Sequence, residues 1–167
     1  IAVVVWLRRG RASGEWMARR NPSLATELRR DVEVLCAIGP RNTFVPENLA
    51  AAADLIEKAF AGYAVERQAY VAEDVRAENL VVEIRGTTRP EEIVIVGAHY
   101  DSVDESPGAN DNASGVAAML ALARRFANAK PARTLRFVAW TNEEPPHFQT
   151  GTMGSYVYAR RCKARNE

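Results

Sequence analysis

The chain has 167 residues, 47% of them hydrophobic and 26% charged, with ten glycines, eight prolines and two cysteines. That is one domain's worth of sequence with ordinary globular composition, which excludes a collagen-like, wholly disordered or disulfide-scaffold protein. The net charge of +1 predicts no strong field for nucleic acid, but the charge is unevenly placed. Residues 1–30 carry seven arginines against Glu15 and Glu27. Residues 160–167 carry Arg160, Arg161, Lys163 and Arg165 against Glu167, so the middle of the chain holds a net −7. Within it, residues 99–111 contain Asp101, Asp104, Glu105 and Asp111 and no lysine or arginine. Such a run is either a solvated loop or a place where a cation relieves the repulsion.

In chain order, residues 1–7 (IAVVVWL) are apolar and are followed by Arg8 and Arg9. Seven residues are too few to span a bilayer, which takes about 20. They read either as the tail of a signal or anchor segment beginning upstream of Ile1, or as a first strand or helix end. The first reading carries an expectation of export: periplasmic, extracellular or membrane-anchored. Residues 1–20 are accordingly set apart from a domain over 21–167. Asn21-Pro22 reads as a cap and first helical residue. Leu24, Leu28, Val32, Leu35 and Ile38 then recur at helical steps and predict an amphipathic helix over 22–38, stopped by Gly39-Pro40. Pro46 opens a second helix with Leu49, Ala52, Ala53, Ile56 and Phe60 on one face and Gly62 at its end.

Three strand-like runs follow at about 64–71, 79–85 and 92–98. In the last, Ile93-Val94-Ile95-Val96 is apolar on both faces, which predicts a strand covered on both sides. A loop with Pro107-Gly108 leads to a helix over about 112–128, with Val116, Met119, Leu120, Ala123 and Phe126 inward. A strand at 134–141, a loop with Pro145-Pro146 and a helix from about 153 complete the pattern. Strands alternating with helices predict an α/β fold, a three-layer sandwich with a mixed, largely parallel central sheet.

Ligands in such sheets bind at the carboxyl ends of strands, and three groups of polar residues fall there. His99 and Asp101 follow one strand. Two apart in extended chain, they point the same way, so Asp101 either forms a structural hydrogen bond with His99 or backs it as a metal ligand. Asp111, in PGANDNASG, is either a helix N-cap or a carboxylate that bridges cations, and capping would serve Asp111 or Asn112 equally well. Glu143-Glu144 follows the strand 134–141. Two adjacent carboxylates repel unless solvated or relieved by a cation. One facing a metal and the other its water would make a hydrolytic site, the second acting as general base. His147 is either a third polar group at this site or a loop residue. No G-x-S-x-G, P-loop or G-x-G-x-x-G is present. Neither Cys36 nor Cys162 has a C-x-x-C partner, and the two sit too far apart in sequence to decide whether they pair.

The segments GAHYDSV (97–103), PGANDNASGV (107–116) and RTLRFVAWTNEE (133–144) resemble the core motifs of the M28 family of zinc-dependent aminopeptidases. GPRN (39–42), the helix around Leu49–Phe60 and MGSYVYA (153–159) are similar to bacterial members, so the likeness covers about 24–160. The resemblance implies two zinc ions. His99 binds one and Asp101 orients His99. Asp111 bridges both ions, Glu144 ligates the other, and Glu143 is the general base. The implied reaction is hydrolysis of the N-terminal peptide bond of a peptide or protein. The loop after Glu144 (PPHFQTGT) is longer than in the shortest members, so specificity does not carry over. The family also supplies an Asp some tens of residues after the Glu pair and a later His, whereas here only Glu167 and His147 follow Glu144 as an acid and a histidine. The expectation is an N-terminal part of a catalytic domain, inactive alone, with the remaining ligands downstream of Glu167 and one sheet edge left exposed. The other readings are a catalytically inactive peptidase-like binding module and a same-fold glutaminyl cyclase, which uses one zinc.

Overall fold

The computed structural model describes residues 22–167; the reading of 1–20 lies outside them. In chain order the elements are α1 (Pro22–Cys36), α2 (Pro46–Ala59), β1 (Glu66–Ala72), β2 (Val75–Ile84), β3 (Arg89–His99), α3 (Ser114–Phe126), β4 (Arg133–Trp140) and α4 (Gly154–Arg165). An irregular turn, Ala109–Ala113, precedes α3.

The four strands form one mixed sheet in the order β1-β2-β4-β3. β1 and β2 are an antiparallel hairpin joined by Glu73 and Asp74, both at positive φ (48° and 67°), the twist a two-residue hairpin loop requires. β4 pairs antiparallel with β2 and parallel with β3, so one of the three pairings, β3–β4, bridged by α3, is parallel, and over the described strands the sheet is mixed rather than largely parallel because β1 and β2 form a hairpin.

Period-two alternation sorts the strand residues onto two faces. Leu80, Val82, Phe137 and Ala139 join the core cluster with α1, α2 and α3, while Val81 and Val138 pack with Trp140, Tyr158 and Cys162 on the α4 side. The result is the three-layer arrangement expected. All five apolar residues assigned to α2 and its end, Leu49, Ala52, Ala53, Ile56 and Phe60, are buried. Burying a Leu, Ile or Phe of this kind contributes about 1.5–3 kcal/mol each. On α3 the buried set is Val116, Ala117, Met119, Leu120 and Ala123; Phe126 is exposed because the core ends one turn earlier. α1 contributes Leu35 as its buried residue, and Leu24 is exposed. Arg124 of α3 pairs with Glu27 and Asp31 and ties α1 down by charge as well as by contact.

The expected two-sided cover of Ile93–Val96 is not found: Val94 and Ile95 are 37% and 45% exposed. The reason is topological, since among the described residues β3 has β4 on one side and is the end strand of the sheet. Cys36 packs with the cluster of α1–α3 and Cys162 with that of α4, on opposite faces of the sheet, and both thiols are free. No helix among the described residues is long and apolar enough to cross a membrane.

Candidate metal centre

The parallel register of β3 and β4 sets His99 beside Trp140, the last residue of each strand. The Tyr100 N–H donates to Trp140 O at 2.9 Å and carries the pairing one residue further. The segments after both strands therefore leave from one end of the sheet, and Asp101, Glu143 and Glu144 emerge together.

His99 and Asp101 point the same way, as their spacing predicts. His99 Nδ1 lies 3.4 Å from Asp101 Oδ1, and neither buried atom has a hydrogen-bond partner. The other Asp101 oxygen accepts the Glu144 N–H at 2.9 Å. Asp101, with a side chain 2% exposed, thus touches both the imidazole and the backbone of the glutamate pair. His99 Nε2 faces outward, 3.0 Å from Asp111 Oδ1 and 3.7 Å from Glu143 Oε2.

Asp111 reaches that position because it is not the helix cap. Asn112 Oδ1 accepts the Gly115 N–H at 3.0 Å. A Cβ at Gly115 would stand 2.2 Å from that oxygen, so glycine is needed there for the cap to close. The turn begins at Gly108 in the left-handed region (φ 56°), a conformation glycine adopts without cost, and the Asp111–Asn112 peptide is cis. The Asp111 side chain is left 73% exposed.

Ligand atoms of His99, Glu143 and Glu144 all lie within 4.8 Å of one another. With zinc bonds of about 2.0–2.2 Å to N and O, that spacing lets His99 and Glu144 reach cations in one shared space with Glu143 beside them. Asp111 joins this group through His99 and lies on its exposed side. The electrostatics agree. Burial lowers the His99 pKa, but the Asp101 hydrogen bond and the charges of Asp101, Glu143 and Asp111 outweigh it, and the imidazole sits above its ordinary value. Burial, then the charge of Asp111, pushes the Glu144 carboxyl up. One imidazole among three convergent carboxylates is a donor set that a divalent cation relieves, and its N/O chemistry fits zinc. A cleft of about 290 Å³ opens on the site, lined also by Trp140 and Ser155, whose Nε1 and Oγ lack protein partners.

His147 is not part of this group. It is a buried loop residue whose Nε2 meets Thr43 Oγ1 at 3.0 Å and whose Nδ1 meets Thr152 Oγ1 at 2.9 Å, bracing the segment after Glu144 against the α1–α2 turn. Sequence reasoning missed two further supports. Asn79 of β2, fully buried, accepts the Thr141 N–H (3.1 Å) and donates to Gly154 O (2.9 Å) and Gln68 Oε1 (3.1 Å), so it holds both ends of the loop bearing the glutamates. Its signal was a lone amide inside the apolar run AENLVV. The other is Arg41, in GPRN.

The profile of peptidase family M28 matches residues 79–167. An uncharacterized protein of Escherichia coli K12, YfbL, is 35% identical over 144 residues, covering 80% of this chain and 44% of that protein. An aminopeptidase of Pseudomonas aeruginosa PA14 is 45% identical over 82 residues, 49% of this chain and 14% of that enzyme. Among solved structures, Fimbriiglobus ruber glutaminyl cyclase superposes with a TM-score of 0.69 at 23% identity, over 84% of this chain and 56% of that one, a likeness of fold. The chain spans less than half the length of these two curated relatives. The profile lies on the strands and loops that build the candidate site and takes in more than half of the sequence; the chain belongs to peptidase family M28.

Proposed function

We propose that the protein containing this chain is a zinc-dependent exopeptidase that hydrolyses the N-terminal peptide bond of peptides, using two zinc ions. The observation that carries the reading is the convergence of His99, Glu143 and Glu144 within 4.8 Å, with Asp111 against His99 Nε2 and buried Asp101 behind it. His99 and Glu144 would each hold one ion and Asp111 would bridge them. When bound, zinc supplies Lewis acidity toward a carbonyl oxygen and lowers the pKa of a water to about 7.

The protein's own part is proton handling and orientation. Asp101 Oδ1 faces His99 Nδ1 at 3.4 Å, and its charge favours a proton on that nitrogen, the tautomer that leaves Nε2 as an electron-pair donor. Glu143, which lines the cleft, takes a proton from the attacking water as its oxygen bonds to the scissile carbon, and delivers it to the amine nitrogen as the C–N bond breaks.

The relatives named aminopeptidase support a hydrolytic reading over cyclisation of N-terminal glutamine, the reaction of the similarly folded glutaminyl cyclases. The test uses the full-length protein, free N-terminal peptide substrates and a glutaminyl substrate in parallel. Chelation should abolish release of the N-terminal residue and zinc should restore it. Glu143→Ala should retain zinc and lose about 10²–10⁴-fold in kcat. Normal kcat in Glu143→Ala refutes the general-base role. Pyroglutamate formation without hydrolysis turns the assignment to a cyclase, and zinc binding with neither activity turns it to a binding module.

A further inference from the structure

Arg41 is fully buried in the turn between α1 and α2. Burial pushes its pKa below the ordinary arginine value, and the charge of Asp101 is among the groups that offset this. Its guanidinium makes five contacts, all to backbone carbonyls and none to a carboxylate. On its own side these are Leu35 O (3.4 Å) and Gly39 O (3.0 Å). Across the core they are Tyr100 O (2.8 Å), Pro107 O (2.6 Å) and Gly108 O (3.5 Å). The backbone repeats the link: Arg41 N–H donates to Ser102 Oγ at 3.1 Å, and Ser102 N–H donates to Arg41 O at 2.9 Å.

The three distant acceptors have a common property. Tyr100 and Gly108 bracket the segment that carries Asp101, and Gly108 O in turn accepts the Ala113 N–H, which closes the turn holding Asp111. One planar fork therefore grips both ends of the connection between β3 and α3. A lysine ammonium, a point donor, cannot span the two ends. A buried charge satisfied by carbonyls alone costs stability, and well-packed apolar side chains often do better. The geometry here shows what the charge is used for.

We propose that Arg41 is a positioning residue of the metal centre: its guanidinium fixes the path of residues 100–108, and so sets Asp101 against His99 and Asp111 against His99 Nε2. The proposal rests on the metal-centre reading above. The clamp acts on metal ligation through Asp101 and Asp111 and touches no ligand itself.

The test is the zinc affinity of full-length Arg41→Lys by chelator competition, with the absorption spectrum of the cobalt-substituted protein as a second readout and circular dichroism to confirm the fold. Support of this kind for a ligand is worth about 10–100-fold in affinity, and Arg41→Lys should lose about tenfold and shift the cobalt bands. In an Asp101→Asn background the same change should cost much less, because its main route is already cut. Unchanged affinity and spectrum with a lowered Tm would overturn the proposal and leave Arg41 a packing residue. Full additivity with Asp101→Asn would also overturn it. If Arg41→Lys does not fold, Ser102→Ala loosens the same link without removing a core charge; weaker zinc binding there supports the clamp and unchanged binding refutes it. A wild-type protein that binds no zinc brings down the metal-centre reading and this proposal together, whereas a zinc-binding wild type with an indifferent Arg41 brings down only the second.

Discussion

Asp101→Asn is the sharpest single test of the site, because it is nearly isosteric and changes only the head group, replacing an anion with two acceptor oxygens by a neutral amide with one. In the native site Asp101 Oδ2 takes the Glu144 N–H at 2.9 Å and Oδ1 faces His99 Nδ1 at 3.4 Å, close enough to favour a proton on that nitrogen. An asparagine has one acceptor and one NH₂ group. In one orientation its NH₂ opposes the Glu144 N–H, leaving that donor unsatisfied in a buried place and freeing the glutamate pair to shift. In the other it opposes His99 Nδ1, which then has to accept, moving the ring proton to Nε2 and removing the lone pair that would hold the metal. Either way about 1–3 kcal/mol is lost, the cost of one unsatisfied buried group, which at 1.4 kcal/mol per tenfold corresponds to roughly 5–150-fold. That range overlaps the 10–100-fold typical of groups that support metal ligands. Zinc affinity of the full-length variant, measured by chelator competition with the fold checked by circular dichroism, should therefore fall about 10–100-fold. Nitrogen chemical shifts of the His99 ring should show the tautomer change if the second orientation prevails. An affinity within about threefold of wild type would refute the reasoning, since both orientations are closed to a neutral carboxamide only if Asp101 supports ligands in this way.

Asp111→Ala should lose metal from both proposed sites; an unchanged zinc stoichiometry by metal analysis would refute the bridging role. Asn79→Ala should destabilise the domain by about 2–4 kcal/mol, because it leaves the Thr141 N–H and Gly154 O without their partners in a fully buried place. Denaturant titration checks it, and a change below about 0.5 kcal/mol would show that the loop holds itself.

The fold was most legible where period and punctuation agree. α2 begins at Pro46 and buries its predicted stripe because proline at the first turn and apolar residues at helical spacing act in the same direction. β2 was read too short. Its first four residues, Val75-Arg76-Ala77-Glu78, include two charges, and the hairpin loop is Glu73-Asp74 rather than a glycine- or asparagine-containing pair, so the usual signal was absent. The cover expected over Ile93–Val96 failed for a different reason: composition reports that a strand is apolar, but its place in the sheet order decides whether anything packs on it.

The site divides along a similar line. The residues proposed to meet the metal could be picked out as a group, because they fall together at strand ends and the H-x-D spacing dictates a shared direction, although each taken singly has a structural reading as well. The residues that hold them there do not. Arg41 lies about 60 residues from Tyr100, Asn79 about as far from Thr141, and His147 more than 100 from Thr43; what links each pair is tertiary contact, invisible to spacing. Their arrangement follows one physical logic. Two loops leave the same end of the sheet, after β3 and after β4, and loops carry backbone donors and acceptors that strands would otherwise have satisfied. Buried polar side chains supply the missing partners: Arg41 for the segment after β3, Asn79 for the two ends of the segment after β4, and His147 within that second segment, beyond Glu144. A buried polar side chain with every partner in place stiffens what it joins, and left half-satisfied it is worse than an apolar one. Convergent carboxylates also repel one another until a cation arrives. Loops that bring them together must therefore be fixed by something other than the ion itself, and in this chain that work falls to residues that never touch the site.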